Sequence, residues 1–221
     1  MDSCITLLES RSTIVFRSVW SFMKLVQRLL VALLACASLP AGAESAPDTR
    51  VRVDTSLGSF VIALDPVHAP LSTGNFLEYV RSGHYDRTIF HRVVAGFVVQ
   101  GGGYTLSGRE KRIRPEIANE SRNGLLNKRG TVALARFAGP HTAAAQFFVN
   151  LADNAALDPP PDGWGYTVFG SVVEGMDVVD QIGQVPTGAY GDFESEAPLE
   201  PVIIEKVEVL EPATVGEPAA P

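Results

Sequence analysis

The stretch RTIFHRVVAGFVVQGGG, residues 87–103, is apolar enough to be strand material, yet it carries His91, Arg92 and Gln100. On one uninterrupted strand Phe90, Arg92, Val94, Gly96, Val98 and Gln100 share a face, and His91, Val93, Ala95, Phe97 and Val99 share the other. Ala95-Gly96 is a natural place for a bulge, which would re-aim the residues after it. One face thus offers a permanent cation, a neutral amide and apolar side chains within a few residues. Such a set can hold a greasy group and supply it with hydrogen-bond donors. The same residues also fit an arginine at a sheet edge with its head in water. The stretch alone leaves both readings open.

Other chemistries find no support. There is no G-x-x-x-x-G-K-S/T phosphate loop and no G-x-S-x-G serine. Gly101-Gly102-Gly103 lacks the full dinucleotide-binding spacing, precedes no helix and reads as a turn signal. His68, His84, His91 and His141 are scattered without ligand spacing, so neither a metal nor a cofactor is expected. His91 reads as a hydrogen-bonded structural histidine rather than an acid or base. Asn119-Glu120-Ser121 matches a glycosylation acceptor, a three-residue pattern that chance often supplies.

The elements that would position these residues are mostly short strands. VRVDTSLGSFVIALDP (residues 51–66) alternates as two strands joined at TSLG, where Gly58 supplies backbone freedom. A helix is predicted over Leu71–Ser82, with Pro70 suited to its start and Gly83 to its end. Its buried face would comprise Leu71, Phe76, Leu77, Tyr79 and Val80. The 87–103 run comes next as strand, ended by the glycines. Residues 104–129 are polar and irregular. GTVALARFA, QFFVNLA, YTVFGSVV and PVIIEKVEVL read as further strands, LDPPPDGWG as a loop and EGMDVVDQIGQ as a second short helix. About eight short strands with turn punctuation and two helices exclude a doubly wound parallel sheet. A mainly all-β fold is expected, an antiparallel barrel or sandwich.

The first 43 residues differ from the rest. In MKLVQRLLVALLACASLPAGA (residues 23–43), Lys24 and Arg28 precede an apolar run from Leu29 to Ala37, and small residues continue up to Ala43. That order is a secretory signal peptide, too short in its apolar run for a permanent span. The organisation read here is a leader over 1–43, a linker over 44–50, a domain over 51–210 and a disordered Pro- and Ala-rich tail over 211–221. The rival reading of the leader is a lipoprotein signal with Cys36 lipidated. Cys4 and Cys36, the two cysteines, both lie in the leader, so the exported part has no thiol chemistry. The leader holds four of the 18 Lys and Arg residues and two of the 25 Asp and Glu. The remainder carries 14 cations against 23 anions, a net charge of −9. An acidic exported domain is a poor partner for nucleic acid or anionic lipid.

FHRVVAGFVVQGGG resembles the signature segment of the cyclophilin family of peptidyl-prolyl isomerases. The resemblance continues through IANESRNGLLNKRGTVALAR, QFFVNLADNAALD, GYTVFGSVVEGMDVVDQIGQVPT and PVIIEKVEVL. It covers residues 51–210 and is closest to the exported bacterial branch. It implies a closed eight-stranded antiparallel β-barrel with two capping α-helices and a binding groove outside a side-chain-filled interior. It places the catalytic arginine at Arg92 and the glutamine holding it at Gln100. The proline pocket falls on Phe97, Val98, Phe148 and Leu157, a second glutamine on Gln146 and a pocket-edge aromatic on Tyr166. Ala135 and Arg136 match the backbone strip that pairs with substrate.

The resemblance implies a monomeric, periplasmic isomerase that rotates Xaa-Pro bonds in unfolded or Pro-containing polypeptides and so assists their folding. It needs no cofactor, metal or nucleophile. The alternative is a non-catalytic chaperone or binding module that keeps the groove. The chain departs from the family pattern at Ala95, usually proline; at Val98, usually a longer apolar residue; at Ala145, often serine; and at Ala156, where some members carry tryptophan. None of these touches Arg92, Gln100 or Phe148.

Overall fold

The structure, a computed structural model, describes residues 49–210. The expectations for the leader, for Cys36, for residues 44–48 of the linker and for the tail lie outside those residues.

Eight strands close into an antiparallel barrel in the order β1-β10-β3-β4-β6-β5-β7-β2. They are β1 (Arg50–Thr55), β2 (Gly58–Leu64), β3 (Thr88–Val94), β4 (Val98–Thr105), β5 (Thr131–Leu134), β6 (Phe147–Asn150), β7 (Val168–Glu174) and β10 (Ile203–Leu210). Closure leaves no unpaired sheet edge. The 87–103 run is not one strand but the β3–β4 hairpin. It turns at Ala95-Gly96, where Phe97 N–H bonds the Val94 carbonyl at 2.9 Å and Gly96 takes φ +69. Antiparallel pairing preserves the shared face, because Arg92 lies opposite Gln100 and Val94 opposite Val98.

The three glycines lie inside β4 rather than ending it. A Cβ at Gly101 would stand 2.7 Å from the Phe90 ring, one at Gly102 2.8 Å from Tyr85, and one at Gly103 2.6 Å from Gln146. Their absence of side chains lets β4 press against these groups.

Helix α1 spans Pro70–Arg81 and α2 spans Met176–Ile182. Helix α1 sinks Phe76, Tyr79 and Val80 into the barrel, but Leu71 is exposed: at the first turn it faces outward, and Ser72 and Thr73 are buried instead. No side chain of its own caps α1. Glu120, from the polar connection, accepts the Leu71 and Ser72 N–H groups at 3.0 and 2.8 Å. That carboxylate also meets the positive end of the helix. The Phe76 ring packs on Tyr85, Phe147 and Phe169 at 5.1, 5.5 and 5.1 Å to form the centre of the core.

A separate two-stranded sheet, β8 (Thr187–Tyr190) with β9 (Phe193–Pro198), was not expected from the sequence. Its β9 lies against β3. Among the described residues no helix is long and apolar enough to cross a membrane.

Candidate active site

Neighbouring residues on four strands serve two different apolar clusters. Phe147, Val99, Val132, Leu134 and Phe169 belong to the barrel core. Their chain neighbours Phe148, Val98, Ala133 and Val168 form a second buried cluster, joined by Phe97, Leu125, Ala135, Leu157 and Tyr166. Alternation along a strand sends adjacent side chains to opposite faces, so this second cluster lies on the outside of the barrel. Each strand here must be apolar on both sides.

Cross-strand pairing places the polar residues on the same outer face. Arg92 pairs with Gln100, Gln100 with Phe148, Phe148 with Ala133, and Ala133 with Val168, one row across β3, β4, β6, β5 and β7. Two strand spacings separate Arg92 from Phe148, about 10 Å of backbone. A bulge intervenes at His91: Phe90 pairs with Gly101 and Arg92 with Gln100, leaving His91 as the extra residue. The bulge is therefore four residues before the position expected for it.

The hydrogen bonds around Arg92 also differ from expectation. Its Nε donates to Oε2 of Glu196 at 2.7 Å, and its side chain is 36% exposed, so it does not stand free in bulk solvent. Among the described residues its terminal nitrogens have no hydrogen-bond partner. Gln100, expected to hold the arginine, instead donates Nε2 to Oε1 of Gln146 at 3.0 Å. The two glutamines are one unit, and Gly103 leaves the room that Gln146 occupies.

His91 is buried, but the hydrogen bond expected of it is not found among the described residues. Its Nδ1 is buried without a partner among the described residues, and its ring packs on Tyr104 at 4.7 Å and Phe193 at 5.5 Å. Burial, with the Arg92 charge adding to it, pushes its pKa down to about 4. It is neutral at pH 7, which keeps a second cation away from the guanidinium.

The wall of the outer cluster is built by the 157–166 loop. Tyr166 N–H bonds the Leu157 carbonyl at 2.9 Å, which closes the loop at its base. The Tyr166 ring stands edge-on to Phe148 at 5.6 Å. Arg136 lies 4.7 Å over the Tyr166 ring and donates to the Gly165 and Trp164 carbonyls at 3.1 and 3.0 Å. The Ala135 N–H already bonds the Gln146 carbonyl at 2.9 Å. Beside this cluster opens a cavity of about 270 Å³ lined by His91, Gln100, Tyr104, Ala135, Arg136 and Gln146, with Glu110 at its wall.

Sequence reasoning missed an asparagine network beneath the site. Asn154 donates to the Phe97 carbonyl at 2.9 Å and to Asn150 Oδ1 at 2.7 Å. Asn150 reaches Asn127 at 3.3 Å, and Asn127 holds Asp158 Oδ1 at 3.0 Å. Asparagines inside FFVNLADNAAL are polar breaks in an apolar run, and that was the available signal. Asn119 is buried and donates to the Pro140 and Gly165 carbonyls, which is a scaffold role rather than that of an exposed glycan acceptor. Glu196, in an acidic stretch to which the sequence assigns no element, carried no signal. Among the described residues no group of three or more His, Cys, Asp or Glu could hold a metal ion.

Comparison with known proteins agrees with this architecture. The family profile described as cyclophilin type peptidyl-prolyl cis-trans isomerase/CLD matches residues 50–209. The chain is 50% identical over 165 residues to peptidyl-prolyl cis-trans isomerase cyp18 of Streptomyces antibioticus, covering 73% of this chain and 99% of that protein. It is 43% identical over 187 residues to peptidyl-prolyl cis-trans isomerase A of Dickeya dadantii, covering 83% and 98%. A crystal structure of a Cryptosporidium parvum cyclophilin type isomerase, obtained in the presence of the dipeptide Ala-Pro, superposes with a TM-score of 0.60. That pair is 25% identical and covers 73% of this chain and 99% of the other.

Proposed function

The chain belongs to the cyclophilin type peptidyl-prolyl cis-trans isomerases, and from that premise we propose how it catalyses the reaction and on what. Arg92 is the catalytic donor. Phe97, Val98, Phe148 and Leu157 hold the proline ring, with Tyr166 at the edge. Gln100 and Gln146 act as a pair beside them, and the strip at Ala135 and Arg136 meets the peptide chain. The substrates are Xaa-Pro bonds in exported polypeptides, met in the periplasm by a monomer. The observation that carries the reading is the row Arg92–Gln100–Phe148 next to an apolar cluster on the barrel's outside.

The physical case starts from the bond. An Xaa-Pro amide rotates over a barrier of roughly 18–20 kcal/mol because nitrogen shares its lone pair with the carbonyl. At the twisted midpoint the lone pair localises on nitrogen, which becomes a hydrogen-bond acceptor. In the planar ground state it accepts poorly. A fixed donor at that nitrogen favours the transition state over the ground state. Arginine stays charged, and with Nε held by Glu196 its terminal N–H groups remain able to donate. The apolar cluster excludes water and so strengthens the interaction. No covalent intermediate is needed.

Loss of such a preorganised donor costs about 2.7–4 kcal/mol, a factor of about 10²–10³ in rate. Arg92→Ala is expected to show that loss in exchange NMR on an Xaa-Pro peptide. Near-normal turnover by a folded variant would remove Arg92 from the mechanism. Binding of the peptide by wild-type protein without turnover would instead favour a holding module. The apolar run and small residues over 23–43 support export. Intact mass of the protein recovered from the periplasm tests this, and would distinguish cleavage after Ala43 from a lipid on Cys36.

A further inference from the structure

We propose that Glu196 is the positioning residue for Arg92, carried to it by the β8–β9 hairpin. The proposal rests on the reading of Arg92 as the catalytic donor. Its motive is a contact that no barrel residue makes. Glu196 Oε2 accepts from Arg92 Nε at 2.7 Å, across 104 residues of chain. Gln100, opposite Arg92 on β4, has its amide turned to Gln146.

The hairpin is shaped to make this contact. Gly188 pairs with Ala197 and Tyr190 with Phe193, so Ala189 alone faces three residues of β9: Glu194, Ser195 and Glu196. Within that bulge Glu196 adopts φ +61, the left-handed region that a non-glycine residue enters at a cost. Both flanks are pinned. Phe193 packs edge-on to Tyr104 at 5.0 Å and beside His91, and Ala197 and Pro198 are buried. The strained backbone at Glu196 is therefore imposed by its surroundings, and what it achieves is to aim one carboxylate at Arg92. Binding at Nε fixes the plane of the guanidinium and leaves its terminal nitrogens to the substrate. Both side chains are more than a third exposed, so the pair acts through geometry more than through ion-pair strength.

Glu196→Gly is the discriminating variant, because glycine accepts the left-handed conformation and the hairpin should fold at least as well. The expected result is an unchanged or raised melting temperature with kcat lowered about tenfold and peptide affinity little changed, as for a misplaced catalytic group. The Arg92 Nε–H resonance should shift or broaden relative to that of the wild type. Glu196→Gln should lie between the two, and Glu194→Gln, an exposed neighbour, should match wild type. A role in folding alone would not move kcat and stability in opposite directions. If Arg92→Ala loses activity while Glu196→Gly turns over normally, the proposal falls and Arg92 stands. If Glu196→Gly is faster than wild type, Glu196 restrains Arg92 instead, and the proposal is overturned. If Arg92→Ala stays active, the catalytic reading fails first, and this one with it.

Discussion

His91 should make the protein's stability depend on pH in a window where most globular domains are insensitive. His91 is 7% exposed, its Nδ1 has no partner among the described residues, and Arg92 is its chain neighbour. Burial first, and then the Arg92 charge, hold its pKa at about 4 against an ordinary value of 6.5. Above pH 6.5 it is neutral in both folded and unfolded states and contributes nothing to the pH dependence. Below pH 6.5 the unfolded chain takes up a proton that the folded chain refuses, so folding loses about 1.36 kcal/mol per pH unit until the folded value is reached. At pH 5 the loss is about 2 kcal/mol. His91→Phe keeps a ring against Tyr104 and Phe193 but removes the titration and the unpaired nitrogen.

Urea unfolding of both proteins from pH 7 to pH 5 isolates this effect. His84 is also lowered, by burial and then by the Lys111 charge, but it is present in both proteins and cancels in the difference. Asp180 and Glu208, lowered chiefly by hydrogen bonds from Arg129 and Lys206, lose their contribution only as pH falls below the ordinary carboxylate range. The wild type should therefore lose about 2 kcal/mol more than His91→Phe over this interval. Parallel curves, differing by a constant to within about 0.5 kcal/mol, would refute the reasoning. An offset in favour of the variant already present at pH 7 is compatible with it, provided the two curves still diverge towards pH 5, since the unpaired nitrogen is absent at every pH.

Two further outcomes concern side chains that sequence reasoning did not assign. Asn154→Ala removes one of the two donors to the Phe97 carbonyl, which keeps the Leu151 N–H, and leaves the buried Asn150 Oδ1 without its donor, so it should cost about 1–3 kcal/mol in urea unfolding and raise KM for a proline peptide more than it lowers kcat. Glu120→Ala uncaps helix α1 from outside; it should destabilise by about 1 kcal/mol in thermal melts while isomerase turnover stays at the wild-type level.

Most of the barrel could be read from the chain because its strands are short apolar runs separated by turn residues. The errors share a cause, which is that the deciding neighbour is distant in sequence. Ala95-Gly96 turns the chain without a polar break, so β3 and β4 read as one strand. Gly101-Gly102-Gly103 looks like a terminator until Tyr85, Phe90 and Gln146 are seen pressing on β4. TGAYGDFESEAP, with its glycines, acids and proline, has no element assigned to it from the sequence, and the structure makes it a hairpin that packs on β3 through Phe193. For the site, parity alone placed Arg92 and Gln100 on one face, and the hairpin kept them there. Their partners were not legible: the choice of Gln146 for Gln100 and Glu196 for Arg92 depends on which strands lie beside them.

The doubled phenylalanine of QFFVN shows why function and fold are hard to separate in this chain. A barrel whose interior is filled by side chains has no room for substrate inside, so a binding surface must be built on strand faces that would ordinarily be polar. Phe147 completes the core and Phe148 the outer cluster, and β4, β5 and β7 repeat the pattern with Val99 and Val98, Val132 and Ala133, Phe169 and Val168. Apolar residues on an outer face would attract other chains unless something limits their exposure. Leu157 and Tyr166 supply that cover, and the loop bearing them is held by Asn127, Arg136 and the Leu157–Tyr166 backbone bond. The polar connections are thus part of the proposed site: they let a greasy surface exist at the barrel's outside while leaving an opening beside Gln100, Gln146 and Ala135. A loop variant that folds normally but sheds this cover should expose Phe148 first, because Phe148 is the buried ring that meets Tyr166 edge-on.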